Sequence, residues 1–395
     1  MLRLARYTEA EAVLSAAGGH TTTDAQITSS MLLAMARISL GMPDDGLQIL
    51  QGASEAASGS HRSIRSEIEL YRAYAYFAKR DMLPALRHIG RVAVDSDVIH
   101  ARSLQLQGFI YSWLGRKRDA AAAYAAALSR LDNCRRYDFV VGAAATAGLS
   151  VIAYEINDLA LMRMVETRYA TMKWPVGNTR YRVHIEGYRH QIEANIGDHA
   201  DFSGDPAKAA AFHALALKTA SGNASTQAGS FALLSRIAGH ARDHAAARAH
   251  LASAWKILDA LDAESIEDNI ETPWAFVETI RQTAAYDVAR ARELSARHAK
   301  LKTNPLAIHA GSFQHTALML FVEGLMLKAE GDLPTARQRL HEAHEAFRIC
   351  ELTPEAIETA HWLAMLGDTN MQWYVVGSLA GTKNWMTAMQ TIPAS

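Results

Sequence analysis

His240 and His244 stand one helical turn apart with Asp243 beside the second, a spacing at which two imidazoles on one face could share a metal ion. The pair adjoins a turn, where solvated histidines are ordinary, so it is read as surface rather than as a ligand set. His341 and His344, interleaved with Glu342 and Glu345, read as a polar helix face. Asp198, Asp201 and Asp205 fall in a stretch, Gly197 to Asp205, that reads as an enlarged loop; they miss the spacing of a calcium loop and are expected to be solvated. Gly377-Ser-Leu-Ala-Gly381-Thr-Lys383 approaches a phosphate loop, but its glycines are one residue too close, Thr382 intervenes, and Asn384 stands where Ser or Thr would hold magnesium. Without GxSxG, HExxH or GxGxxG, no catalytic residue, metal or cofactor is assigned, and the chain is expected not to be an enzyme. An active site assembled from residues distant in sequence stays open as an alternative.

Carboxylates gather from Asp259 to Glu278, with Asp262, Glu264, Glu267, Asp268 and Glu271 and no Lys or Arg between them. A basic run follows: Arg281, Arg290, Arg292, Arg297, Lys300 and Lys302. On adjacent helices the two runs would pair for little net stability, or they would form a polar docking site; both readings stand. The formal charge of −1 over 395 residues excludes the global basic footprint of a nucleic-acid binder, and equally an acidic tail. A hydrophobic fraction of 49% suffices for a core, and only 9 prolines among Ala-rich periodic runs favour helix throughout. Cys134 and Cys350 make no CxxC or Cys/His metal spacing, so reduced thiols in a bacterial-type cytoplasm are the expectation. Glu9 and Glu11 interrupt what would be the apolar core of a signal peptide, and no stretch approaches the ~18 apolar residues of a membrane span.

The elements that must position these residues are clearest from Leu104 to Ala127. Gly108 is a small residue at which two antiparallel helices could cross closely, and Tyr111 fills the same face one turn on. Gly115 ends the first helix, and Ala120, Tyr124 and Ala127 recur at helical spacing on the second. The same pattern returns around Ala34 with Gly41 at its turn, and around Ala73 with Arg80. It returns again around Ser150 with Asn157, Ser235 with Arg242, and Gly324 with Gly331. This small, aromatic, turn, Ala, ring, Ala pattern resembles a tetratricopeptide repeat, whose period is ~34 residues.

The resemblance implies an all-α fold, a right-handed α–α superhelix (a TPR-like solenoid) of about eight helical hairpins. The repeat array would cover residues 1–366, with 1–20 an incomplete first repeat or N-terminal cap, and an aromatic segment, 367–395 with Trp373, Tyr374 and Trp385, would cap it. In this family the first helix of each hairpin lines a concave groove. Helical register then projects Met31, Met35 and Ile38, next Leu70, Tyr74 and Phe77, then Gln105, Phe109 and Trp113, and finally Leu318, Phe321 and Leu325 into it. Some of this stripe could equally be core between repeats. The Lys and paired Asn with which chaperone-binding members hold a peptide C-terminus are missing, so that activity is not carried over. An apolar groove suits a hydrophobic peptide, an amphipathic helix or the chain's own terminal segment.

The expected function is therefore a non-enzymatic scaffold for a protein or peptide partner, with no membrane and no direct nucleic-acid contact. A homodimer built on the open N-terminal end stays an alternative. A second alternative is the sensing arm of a transcriptional regulator, since large regulators of the LuxR and maltose-regulator type are similar in carrying such arrays. Leu352-Thr353-Pro354 to Asn384 echoes the DNA-binding module that follows those arrays. Lys383 is the only Lys or Arg after Glu351, however, and phosphate contacts need several.

Overall fold

The computed structural model describes residues 7–16, 23–59, 62–94, 97–134, 137–174, 182–220, 223–261, 272–301 and 313–379. Among them are helices and turns and no strand. In chain order the helices are α1 (Tyr7–Ala16), α2 (Thr23–Ser39), α3 (Pro43–Ala56), α4 (Arg62–Ala78), α5 (Met82–Ile89), α6 (Asp97–Trp113) and α7 (Lys117–Asp132). Next come α8 (Phe139–Glu155), α9 (Leu159–Thr171), α10 (Arg182–Phe202), α11 (Pro206–Thr219), α12 (Ala224–His240) and α13 (His244–Ala260). The rest are α14 (Thr272–Thr283), α15 (Val288–His298), α16 (Phe313–Glu330), α17 (Leu333–Ile349), α18 (Thr353–Met365) and α19 (Thr369–Leu379). This is the all-α TPR-like helical-repeat architecture that the sequence pattern implies.

One local device ends most first helices and starts their partners. Gly41, Arg80, Gly115, Asn157, Gly204, Arg242, Gly331 and Gly367 all hold positive φ, the left-handed conformation that stops a helix. The next residue's amide then reaches back to the preceding turn, as in Asp81 to the Tyr76 carbonyl (2.9 Å), Asp158 to Ala153 (2.8 Å) and Asp243 to Ala238 (2.8 Å). That next residue is often Asp, whose carboxylate caps the second helix. Asp158 accepts from the Leu161 amide at 3.0 Å, Asp205 from Lys208 at 3.0 Å and Asp243 from Ala246 at 2.9 Å. The turns expected at Arg80, Asn157 and Arg242 thus sit where the sequence places them, although none of the three is glycine.

The helices gather in two compact units, Met1–Leu149 with Arg168–Tyr188, and Ser150–Thr167 with Arg189–Ser395. In the first, α2 pairs with α3, α4 with α5 and α6 with α7. Their core joins Ile27, Met31, Leu50, Leu70, Leu106 and Ile110. Tyr124 of α7 is buried with its ring against Gly108 of α6 and Gly148 of α8; a Cβ on Gly148 would lie 2.3 Å from the ring. In the second unit, α12 pairs with α13, α14 with α15, α16 with α17 and α18 with α19. Ala194 of α10 and Ala216 of α11 share a core with Leu233 of α12. At the other end Phe202 of α10 packs with Ile357 and Ala360 of α18 and Val375 of α19.

Two expectations need correction. Gly197 to Asp205 is not an enlarged loop, because α10 runs on through Phe202. Gly197 is a contact glycine inside that helix, where a Cβ would lie 2.7 Å from the His213 ring of α11. His344 is not on a solvated face: it is buried, its Nδ1 donates to the Ala356 carbonyl at 3.0 Å, and Tyr374 abuts its ring. The segment echoing a DNA-binding module forms the α18–α19 hairpin, while Lys383, Asn384 and Trp385 lie outside the described residues.

Replacing Gly148 by Ala is expected to cost about 1–3 kcal/mol, because the Tyr124 ring has no room to retreat. Gly52→Ala, in α3 with nothing within 4 Å of the new methyl, is expected to gain up to ~1 kcal/mol from helix propensity. Urea midpoints of the two variants would separate packing from propensity.

Candidate functional site

Successive first helices of the first unit present an aromatic cluster. Phe77 of α4 lies 5.2 Å from Phe109 of α6 and 6.3 Å, edge to face, from Trp113 one turn further along. The Arg80 guanidinium sits 4.9 Å over the Trp113 ring, a cation–π contact that leaves one side of the cluster polar. All three rings are part-buried, and the Trp113 indole N–H has no partner.

The expected groove residues therefore divide. Met31, Ile38, Leu70 and Phe321 are buried in the packing between helices. Met35, Tyr74, Phe77, Gln105, Phe109 and Trp113 are part-buried in the first unit, as are Leu318 and Leu325 in the second. Met31, Leu70 and Phe321 each precede the close-contact residue by a turn and face the neighbouring helix, whereas Gln105, at the same place before Gly108, is part-buried.

The second unit gathers charge in its interior. Arg236 of α12, nearly enclosed, bonds Asp198 of α10 at 2.5 Å, Asp201 at 3.1 Å and Glu278 of α14 at 3.5 Å. His213 stands 3.3 Å from Asp198, and His240 bonds Asp201 at 3.0 Å. Arg281, one turn beyond Glu278, bonds it at 3.2 Å and also pairs with Glu358 of α18. From α8, Tyr154 donates to Glu355 Oε1 at 3.1 Å, while Gln314 of α16 donates to Glu155 at 3.5 Å. Helices far apart in sequence thus meet through polar side chains.

Asp198 and Asp201 are accordingly not solvated, and His240 is a carboxylate partner rather than a free surface imidazole. Asp205 does remain exposed, as the cap of α11. Among the described residues no cluster of three or more His, Cys, Asp or Glu side chains has metal-holding geometry. Of the acidic run, Asp259 pairs with Arg290 and Arg297, Glu278 turns inward, and residues 262–271 lie outside the described residues.

Burial alone would raise the carboxyls of Asp198 and Asp201, but Arg236 with His213 around the first, and His240 with Arg236 around the second, hold both below their ordinary value. Glu355 goes the other way. Burial, reinforced by Glu155 and Glu358 and only partly offset by Arg281, pushes it from 4.5 to about 7. Tyr154 is pushed well above its ordinary value, by burial first and then by Glu355, and so remains a donor.

The fold is that of a TPR-like helical repeat. No protein-family model matches the sequence, and no curated protein sequence does either. Solved structures do match. A Rap protein complexed with competence and sporulation factor superposes with TM-score 0.50 at 14% identity, over 90% of this chain and 100% of that one. The APC/C hetero-tetramer Cut9-Hcn1 aligns at 13% identity over 97% of this chain and 88% of that one, with TM-score 0.30. No helix among the described residues is long and apolar enough to cross a membrane.

Glu355 makes stability pH-dependent. Its carboxyl holds a proton in the folded chain up to about pH 7 but releases it near 4.5 when unfolded, so its contribution is full below about pH 4.5 and is lost as pH rises through 7. Tyr154, Glu155, Arg281, Glu358 and His344 are the titratable or charged neighbours around α18. Glu355→Gln should abolish this contribution. The difference in unfolding free energy between wild type and variant is expected to change by roughly 3 kcal/mol from pH 4.5 to pH 8, measured by denaturant titration at each pH.

Proposed function

We propose that the chain is a non-enzymatic scaffold that binds a protein or peptide across the aromatic face of its first unit. The observation that carries this reading is the cluster of Phe77, Phe109 and Trp113, drawn from successive first helices and left part-buried with an unpartnered indole N–H. Part-buried rings with a polar handle are the usual anchors of protein interfaces, although here the indole nitrogen itself is enclosed. Met35 extends the same register onto α2, and Arg80 and Gln105 supply a polar edge. A hydrophobic residue flanked by hydrogen-bond acceptors is the ligand chemistry that fits.

The Rap protein of matching fold was solved in a complex with another factor, which supports a binding role for this architecture. A cytoplasmic and regulatory setting belongs to the same proposal.

Peptides selected against the immobilised full chain from a random display library are the direct test. Phe109→Ala with Trp113→Ala should weaken a selected peptide by about thirtyfold or more with far-UV circular dichroism unchanged. Peptides that bind the double variant as tightly as wild type would overturn the reading. Loss of helicity in the variant would assign the rings to the core.

A further inference from the structure

The charged interior of the second unit is rich in carboxylates. Asp198, Asp201, Glu278 and Glu358 are joined through two guanidinium groups, and Glu155 and Glu358 stand near Glu355. Among the described residues the fixed cations paired within it are Arg236 and Arg281, with the imidazoles of His213 and His240 beside Asp198 and Asp201. The imidazoles and Arg236 serve the α10 end. At the α18 end Arg281 stands between Glu278 and Glu358 and leaves Glu355 with no ion-pair partner of its own.

Glu355 also carries an unmatched atom. It is 8% exposed. Its Oε1 accepts the Tyr154 hydroxyl, whereas Oε2, enclosed, has no hydrogen-bond partner. Neither protonation state resolves this. An ionised carboxylate leaves a buried negative charge beside Glu155 and Glu358, and a protonated one, whichever oxygen carries the proton, still leaves Oε2 without a partner. An N–H donor that brought positive charge would satisfy both that atom and the charge of the Glu355 carboxylate.

We propose that this end of the second unit binds an organic cation, a guanidinium or alkylammonium group, at Glu355 Oε2, with Glu155 and Glu358 as the flanking carboxylates. Glu358, 19% exposed, gives the cluster its edge on solvent. Tyr154 holds the carboxylate in place from α8, so the cation would bridge α8 and α18 across the unit. The bound group displaces the proton that Glu355 carries: one O–H bond breaks, the proton goes to buffer, and an N–H···O contact takes its place. The chemistry is shared by a free small cation and by a basic side chain on a peptide. This site is separate in residues and in chemistry from the aromatic face of the first unit.

Isothermal titration of the full chain with agmatine, and in parallel with acetyl-Ala-Arg-Ala-amide, distinguishes the two sources; acetyl-Ala-citrulline-Ala-amide is the uncharged control. Saturable binding of either cationic probe is expected, tightening as pH rises from 6 to 8, with close to one proton released per cation at pH 6 and progressively fewer towards pH 8, as read from the buffer dependence of the heat. Agmatine alone would identify a free small cation, and the arginine peptide alone a basic side chain. Glu355→Gln should weaken binding by roughly tenfold or more. Should that variant fail to fold, Glu155→Gln on α8 is expected to weaken it severalfold. Phe109→Ala with Trp113→Ala should leave cation binding intact, so that failure of the aromatic-face reading and failure of this one are told apart. No saturable heat with either probe up to millimolar concentration, binding indifferent to both Gln variants, or equal binding of the citrulline peptide would overturn the proposal and leave a buried water as the partner of Oε2.

Discussion

The structure depends on the close crossing of two antiparallel helices at a small residue, with a large ring seated in the space. Tyr124 against Gly108 and Gly148, His213 against Gly197, and Trp274 against Gly229 are instances of the same contact. Each removes the room a Cβ would need, so the crossing point is fixed to within one residue. A left-handed residue follows seven positions after the small one at Gly108 and Gly115, Gly197 and Gly204, and Gly324 and Gly331. Crossing and turn together leave each hairpin one register, and that register decides which side chains leave the core.

The same positions then carry opposite chemistry in the two units. The residue after the small one, and those four or five beyond it, are Phe109 and Trp113 around Gly108, Asp198 and Asp201 around Gly197, and Arg236 and His240 around Ser235. In the first unit these are rings; in the second they are the members of a buried ion network. Enclosed ion pairs add little net stability over apolar packing, yet removing one partner costs several kcal/mol. Such a network therefore selects one arrangement of helices more than it strengthens the fold. Apolar contacts such as Phe202 with Ile357 and Val375 supply cohesion between α10 and the α18–α19 hairpin.

This register is why much of the fold was legible and the charged site was not. Turns at Arg80, Asn157 and Arg242 could be placed without a glycine because small residues seven positions earlier marked them. Gly197 reads instead as the start of a loop, as an isolated glycine near three aspartates ordinarily does. Reading it as a crossing residue, with Gly204 as its turn, would have placed Asp198 and Asp201 opposite Arg236 and His240. Glu278 and Arg281 were hidden for a different reason. Helix α14 is enclosed around nearly its whole circumference, so no apolar stripe marks which side its charged residues face. Glu355 looked like an ordinary acidic first-turn residue after Thr353 and Pro354, and its contact with Tyr154 spans a separation that no local pattern records.

That first-turn position sharpens the physics of Glu355. Near the N-terminus of α18 the helix dipole favours an ionised carboxylate by about 0.3–1 kcal/mol, and Arg281 acts in the same direction. The carboxyl nevertheless lies at about 7, a shift equivalent to roughly 3 kcal/mol toward the protonated form. Burial and the charges of Glu155 and Glu358 must therefore outweigh dipole and arginine together. A carboxylate placed for helix capping alone would sit exposed, as Asp205 and Asp243 do at the starts of α11 and α13. Glu355 is held instead where its charge is costly, by α8 and α14, which belong to other hairpins. One of the contacts that join α18 to the rest of its unit thus runs through a carboxyl close to half-ionised at neutral pH, and small changes in the charge around it are felt at that contact.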